Sequence, residues 1–401
     1  MRGDTRQEEI RRRHLGAVLR QVHLAGAISR AELANRLGLN RSTILALATQ
    51  LTAAGLVREE ASGATGRVGR PSLVVRPESG RWYVLAFDVA VDRVVAARVG
   101  LGGVVLERRE APRRRSRRAD LDEVVGVLVG FGRALVDAAP RNARCLGVGT
   151  SYCGLVRAAD GRVLLAPNMG WTDLDFGPAL SDRLGLGLPV AVGNEAHLGA
   201  RAEHERGAGI GHQNLIYLHG DVGVGGGIIV GGRLLGGDDG YGAELGHMIV
   251  NPFGGRSCNC GSHGCLEAEV GEAALLEASG RTGGPGGRDG VRAVLEAAAD
   301  GDEAARKALE RVGDWLGIGV VNLINLFNPG VVVFGGTLGD IYQGAAPQVR
   351  ARVAASVLPV SRGVELRTAM LRYDASLVGA AELAFSRVLA DPLDALAATA
   401  R

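Results

Sequence analysis

Hydrophobic positions recur with two different periods along this chain, and the change of period divides it. From Glu8 to His23 the apolar residues Ile10, Leu15, Val18, Leu19 and Val22 fall at helical spacing. In "AISRAELANRLGLNRSTILALATQLTAAGLVREE", Ser29 followed by Glu32 is a capping box that predicts a short helix through Leu37. Gly38 turns the chain, and Asn40 caps a second predicted helix to about Ala54, with Ile44, Leu47 and Leu51 on its inner face. "GLVREE" and "SLVVRP" read as two short strands joined by the loop "ASGATGRVGRP".

From Trp82 onward strands and helices alternate. "RWYVLAFDVAVDRVVAARVGLGGVVLERRE" predicts three strands in a meander, followed by a basic loop "PRRRSRR" and a helix to about Ala139. "CLGVGTSYCG" is a buried strand entering a glycine turn, and "LPVAVGNEAHLGARAEHE" is a strand entering a helix. "NLIYLHGDVGVGGGIIVGGRLL" supplies two apolar strands around a glycine-rich turn. A long helix ending at "NLINLFNPG", the strand "VVVFGG" and a final helix "SLVGAAELAFSRVLA" complete the order. This succession predicts an α/β fold with sheets covered by helices, and no short repeat stands out.

At 401 residues the chain has room for two or three domains. No apolar run approaches the roughly 20 residues that span a bilayer, and "MRGDTRQEEIRRRH" has no apolar signal core, so no membrane partner and a cytoplasmic location are expected. The net charge of +3 conceals an asymmetry: thirteen arginines face seven acids in residues 1–80. A basic head on a mildly acidic body points to a polyanion partner. Two short helices across a tight turn, followed by two strands and a basic loop, are the winged helix-turn-helix pattern. Its candidate contacts to a double-stranded DNA operator are Ser29 and Arg30, then Asn40, Arg41, Ser42 and Thr43, with Arg67 and Arg70 in the wing.

"NPFGGRSCNCGSHGCLEAE" packs three of the five cysteines into eight positions, and His247 precedes the first of them by eleven residues. One imidazole and three thiolates, Cys258, Cys260 and Cys265, make a closed tetrahedral set of the kind structural zinc requires. A redox pair and inert buried cysteines are the competing readings, and His263 is a competing nitrogen donor. Cys145 and Cys153 lie on or beside a buried strand and read as packing residues.

The ordered motifs "DVAVDRVVAARVGLGG", "APNMGW", "VGNEAHLGARAE", "GVGGGIIVGGRLL", "GAELGHM", "CNCGSHGCLEA" and "NPGVVVFGG" resemble those of the ROK family of repressors, open reading frames and sugar kinases. The resemblance runs from about Arg11 to Ala390 and is greatest to the repressor branch. It implies a winged helix-turn-helix over residues 1–81, then a two-lobed actin-like, ribonuclease-H-like sugar-kinase-type body over 82–401. The smaller lobe would take about 82–194 plus a C-terminal helix at about 374–390, and the larger lobe about 195–373. It favours His247 over His263 as the zinc ligand. It also implies a sugar or sugar-phosphate pocket built from Asn168, Asn194, Glu195, Glu244, His247 and Glu267. Two departures stand out. The kinases' catalytic Asp is replaced by Glu195 in "GNEAH", and their D-x-G-G-T phosphate turn reads "DVAVD" from Asp88 to Asp92. The expectation is a homodimeric or homotetrameric, sugar-responsive repressor without kinase activity; the alternative is an ATP-dependent sugar kinase carrying a DNA-binding appendage.

Overall fold

The computed structural model describes residues 2–61, 73–113, 120–157, 159–284, 286–356, 358 and 363–399. The head comprises α1 (Arg2–Ala25), β1 (Ile28–Ser29), α2 (Arg30–Leu37), α3 (Arg41–Ala53), β2 (Val57–Ala61) and β3 (Leu73–Pro77). The Ser29 hydroxyl accepts the Glu32 amide at 3.1 Å, and Gly38 closes α2 at φ 63°. The capping box is only half formed, because the Glu32 carboxylate pairs with Arg36 one turn on. Asn40 accepts the amide of Thr43 at 2.7 Å and starts α3, whose Ile44, Leu47 and Leu51 are buried as expected. The short strand β1 pairs with β3 and turns the expected hairpin into a three-stranded sheet, order β1-β3-β2.

Next come β4 (Trp82–Val89), β5 (Arg93–Gly100), β6 (Val104–Pro112), α4 (Leu121–Asp137), β7 (Arg144–Tyr152), β8 (Leu155–Val156), β9 (Val163–Ala166), β10 (Trp171–Leu174), α5 (Phe176–Leu184) and β11 (Val190–Asn194). The remainder is α6 (Glu195–Arg206), β12 (Leu215–Gly220), β13 (Val224–Val230), β14 (Arg233–Leu234), a 3-10 turn at Leu245–His247, α7 (Leu266–Val270), α8 (Glu272–Ala278), α9 (Gly287–Ala299), α10 (Glu303–Phe327), β15 (Val331–Gly335), α11 (Gly336–Ala354), β16 (Glu365–Thr368), α12 (Ala375–Ala390) and α13 (Pro392–Thr399). Thus "SLVGAAELAFSRVLA" is not the final helix: Pro392, with its φ already set for a first helical turn, opens another.

Two five-stranded sheets carry the body, ordered β11-β7-β4-β5-β6 and β14-β13-β12-β15-β16. Each is an antiparallel meander whose first strand is flanked by two further parallel strands, so one topology occurs twice. Helix α12 lies on β4 and β7 with glycine-mediated intimacy: a Cβ on Gly149 would stand 2.1 Å from the Ala380 carbonyl oxygen. It also packs along α6, where a Cβ on Gly379 would stand 2.2 Å from the Leu198 carbonyl oxygen.

The head is not tethered by a free linker. Leu15, Val18, Leu19 and Val22 of α1 share one continuous core with Val84 and Ala86 of β4, Val95 and Ala97 of β5, and Phe385, Val388 and Leu389 of α12. The Trp82 indole N–H donates to the Gly55 carbonyl at 2.6 Å, which fixes the junction. No described helix is long and apolar enough to cross a membrane.

Candidate functional site

In the second five-stranded sheet, the glycine-rich run of β13 lets two neighbours approach its opposite faces. A Cβ on Gly227 would meet the Ala200 side chain of α6 at 2.5 Å, and one on Gly226 would meet Leu245 at 2.5 Å. These contacts bring "GNEAH" and "GAELGH" to either side of one strand. His197 strengthens the link: its Nε2 stands 2.8 Å from the Gly242 carbonyl oxygen, and burial lowers the pKa of the ring.

Asn194 caps α6. Its side-chain oxygen accepts the amides of Ala196 and His197, and its amide nitrogen donates to the Gly154 carbonyl at 2.9 Å. Part of its expected hydrogen-bonding capacity therefore holds the helix in place. Glu195, the first residue of α6, lies with His219 and Asp221 in a group whose donor atoms are all within 4.8 Å of one another. Burial pushes the Glu195 pKa well up, the carboxylates of Asp221 and Asp88 push it further, and Arg93 opposes them. Burial likewise lowers His219 to about 3, so its ring is neutral.

Arg93 is a residue the sequence reading passed over. Its guanidinium lies 3.0 Å from Asp92, 3.6 Å from Asp221 and 3.9 Å from Asp88, with the residue only 8% exposed. Asp88 and Asp92 belong to the β4–β5 hairpin and Asp221 to the β12–β13 turn, so one cation ties the two sheets' leading hairpins together. The charge of Asp92 is thus balanced locally by its own neighbour. The available signal was the run of Asp88, Asp92 and Arg93 itself, whose third carboxylate lies more than 120 residues away in sequence.

The four expected metal ligands come together: His247 Nδ1 and the sulfurs of Cys258, Cys260 and Cys265 all lie within 4.8 Å of one another. Cys258 Sγ is 3.6 Å from His247 Nδ1, and Cys260 Sγ is 3.7 Å from Cys265 Sγ. Bonds of about 2.0–2.3 Å to a tetrahedral ion would separate neighbouring donors by about 3.5–3.8 Å, so the set fits such an ion. His263 is not in this group. Gly261 and Gly264 both have positive φ, 91° and 69°, and a Cβ on Gly264 would stand 1.8 Å from the Asn251 carbonyl oxygen. Glu269, also missed, braces the loop by accepting the Asn251 side chain at 3.1 Å and the Arg256 amide at 2.8 Å.

Glu244 and Glu267 flank this cluster. Partial burial of its carboxyl raises the Glu244 pKa; His247 opposes this and Glu267 adds to it, although the residue as a whole is exposed. Glu267 Oε2 accepts the Val224 amide at 2.9 Å, and only a glycine at 223 leaves room for it, since a Cβ there would stand 2.3 Å away. The other oxygen, Oε1, lies 3.7 Å from Cys258 Sγ, so Glu267 ties the glycine turn of β13 to the cysteine loop. Asn168 sits half-buried in the β9–β10 turn and makes no hydrogen bond to the other expected pocket residues. Its neighbour Met169 is held by Arg113, which also donates to the carbonyls of Ala90 and Val91. Burial raises the Cys145 pKa to about 11 and that of Cys153 well above the usual range, as suits packing thiols.

In the head, Arg41 and Ser42 are exposed at the start of α3 and Thr43 is half-buried. Ser42 donates to Asn40 Oδ1 at 2.8 Å, so both side chains take part in the cap. Arg30 is engaged elsewhere: its Nε and Nη2 form a forked ion pair with Glu59 of β2. The wing residues Arg67 and Arg70, and most of "PRRRSRR", lie outside the described residues.

Comparison with known proteins separates head from body. The xylose repressor of Bacillus subtilis (strain 168) is 28% identical over 376 residues, covering 93% of this chain and 94% of that protein. A glucokinase of Halalkalibacterium halodurans is 30% identical over 314 residues, 75% of this chain and 94% of its own. Among solved structures, a ROK family transcriptional regulator, a homolog of the E. coli MLC protein, superposes with a TM-score of 0.78 at 26% identity, covering 98% of this chain and 99% of that one. A ROK family glucokinase from Streptomyces griseus, in complex with glucose and AMPPNP, gives 0.64 at 29% identity, covering 76% and 99%. The ROK family profile matches residues 84–387, and the chain belongs to the ROK family.

Proposed function

We propose that this protein is a sugar-responsive transcriptional repressor. Residues 1–81 form its DNA-binding domain and 82–401 its effector-binding and oligomerising body. The observation that carries this reading is the coverage: repressor relatives align across head and body, 93% of the chain, whereas glucokinase relatives leave a quarter of it unmatched. The exposed N-terminal turn of α3, with Asn40, Arg41, Ser42 and Thr43, suits a major groove. A homodimer or homotetramer would present two such heads to a palindromic operator. The relatives' names make D-xylose the first effector to try, against D-glucose and the phosphates of both.

The effector would lie between the lobes, against Asn168, Asn194, Glu195, Glu244, His247 and Glu267, whose carboxylates and amides accept and donate to hydroxyls. Zinc is the ion we assign to His247, Cys258, Cys260 and Cys265, because soft thiolates in a closed four-donor set favour it. It would act structurally, ordering Glu244 and Glu267 on its two sides, with Nε2 of His247 left to meet a hydroxyl.

Phosphoryl transfer is not part of the proposal. The extra methylene of Glu195 displaces its carboxylate by about 1 Å from the place of an aspartate, and catalysis tolerates such misplacement poorly. The Arg93 guanidinium with its three aspartates further fills the junction between the leading hairpins with closed ion pairs. Gel-shift titration of the protein on its own upstream region, with and without each sugar, tests the proposal; operator affinity indifferent to every sugar would refute it. The glycine run Gly223–Gly227 and the glucokinase relatives keep one rival in view, a kinase with a DNA-binding appendage. A coupled ADP-release assay showing turnover that Glu195→Gln abolishes would establish that rival instead.

A further inference from the structure

Helix α6 begins in the candidate pocket, with Asn194 as its cap and Glu195 as its first residue, and ends about 17 Å away against the head. Its last residue, Arg206, donates from Nε to Glu382 Oε1 of α12 at 2.6 Å. The same carboxylate stands 3.1 Å from Nε2 of His23 on α1, and His23 and Glu382 are 0% and 1% exposed. His23 Nδ1 accepts the Gly102 amide at 2.8 Å, so the ring proton is on Nε2 and is donated to Glu382. Arg206 also donates from Nη1 to the Gly102 carbonyl at 3.2 Å and from Nη2 to the His23 carbonyl at 3.3 Å. One turn away, Arg20 of α1 pairs with Glu205 of α6.

We propose that Arg206, Glu382 and His23 form a buried polar joint through which movement of α6 on sugar binding is passed to α1 and hence to the DNA-reading helix α3. This rests on the reading of the chain as a sugar-responsive repressor and specifies how that response is transmitted. Helices α6 and α12 move as one body, since the Leu198 carbonyl is seated on Gly379 and Ser376 Oγ donates to the Glu195 carbonyl at 3.3 Å. Tilting that body without α1 would keep Arg206 on Glu382 but pull both away from His23, leaving a fully buried imidazole N–H without its acceptor, which is costly. Moving α1 with it keeps every partner. Because α1 contributes Leu15, Val18, Leu19 and Val22 to the core that also holds Ile44, Leu47 and Leu51 of α3, a shift of α1 reorients the recognition helix.

The test is fluorescence anisotropy on a labelled fragment of the upstream region, with D-xylose, D-glucose and N-acetyl-D-glucosamine as probes. Full-length wild type, Glu382→Gln, Arg206→Lys and Arg20→Ala are compared, and sugar Kd is measured in parallel by calorimetry. The ratio of operator Kd with and without sugar, about 5-fold or more in wild type, is expected to fall below about 2-fold in Glu382→Gln and Arg206→Lys while sugar Kd stays within about 3-fold. Arg20→Ala, at the solvent edge of the joint, is expected to lower the ratio about 2-fold. An unchanged ratio in a folded Glu382→Gln or Arg206→Lys overturns the joint. If neither folds, an unchanged ratio in Arg20→Ala overturns it. A wild type whose operator affinity ignores all three sugars overturns the proposed function, and the joint with it.

Discussion

Arg93 on the first leading hairpin stands 3.6 Å from Asp221 on the second, and each is at most 8% exposed. Their pairing joins the leading hairpins of the two sheets.

Removing the cation should therefore be severe. Arg93→Ala leaves Asp88, Asp92 and Asp221 without their shared counter-charge, and breaking a buried pair of this kind costs about 3–5 kcal/mol. Urea unfolding of the variant should show that loss at neutral pH, with Arg93→Lys intermediate. A loss within the error of wild type would mean that water reaches the cluster.

The same cluster sets a pH dependence. Burial raises the Asp221 pKa from its usual 3.8 to about 6, with Asp92 and Asp88 adding and Arg93 opposing. The folded chain thus binds this proton more tightly than the unfolded one. The resulting stability is fully present below about pH 4 and is lost as pH rises through about 6. Asp221→Asn should flatten the difference in urea midpoint between pH 5 and pH 7.5 relative to wild type.

Zinc content provides an independent check. Elemental analysis should find about one zinc per wild-type chain and almost none in Cys265→Ser, because three donors no longer close the tetrahedron. Loosening the loop should lower Tm by about 5 °C, a destabilisation on the order of 2 kcal/mol. Full zinc occupancy in Cys265→Ser would remove that cysteine from the ligand set.

Two arginines of the head should behave oppositely. Arg41→Ala is expected to weaken operator binding and reduce the slope of log Kd against log salt by about 1, as loss of one phosphate contact does. Arg30→Ala should leave that slope within error and lower stability instead, since its guanidinium is held by Glu59. Slopes equal in both variants would contradict the assignment.

What the sequence discloses about this fold depends on how local each determinant is. Helices α2 and α3 were legible because their start and stop signals, Ser29, Gly38 and Asn40, lie beside the residues they organise. The cluster of His247, Cys258, Cys260 and Cys265 was legible for the same reason, with all four residues inside a stretch of nineteen. The doubled sheet topology was not, because matching strands repeat an order of pairing without repeating residues. Nor was β1, two residues long, nor α13, whose signal at Pro392 follows a helix that already looked terminal. The His23–Glu382 contact spans 359 residues, and nothing near either residue advertises the other. Arg30 likewise has a partner that its own neighbourhood does not announce, since Glu59, which holds its guanidinium, lies 29 residues further on.

The shared core of α1, β4, β5 and α12 has a consequence for modularity. Kinase relatives match this body without needing a head, yet here Val84, Ala86, Phe385 and Leu389 are covered by α1. A body cut free at Trp82 would bare that apolar seam to water, and a foreign head grafted there would have to bring its own helix shaped to fill it. The two halves are thus interlocked parts, and an exchange of DNA specificity within this scaffold must begin after Ala25, at the loop that leads into α2, leaving α1 where it is.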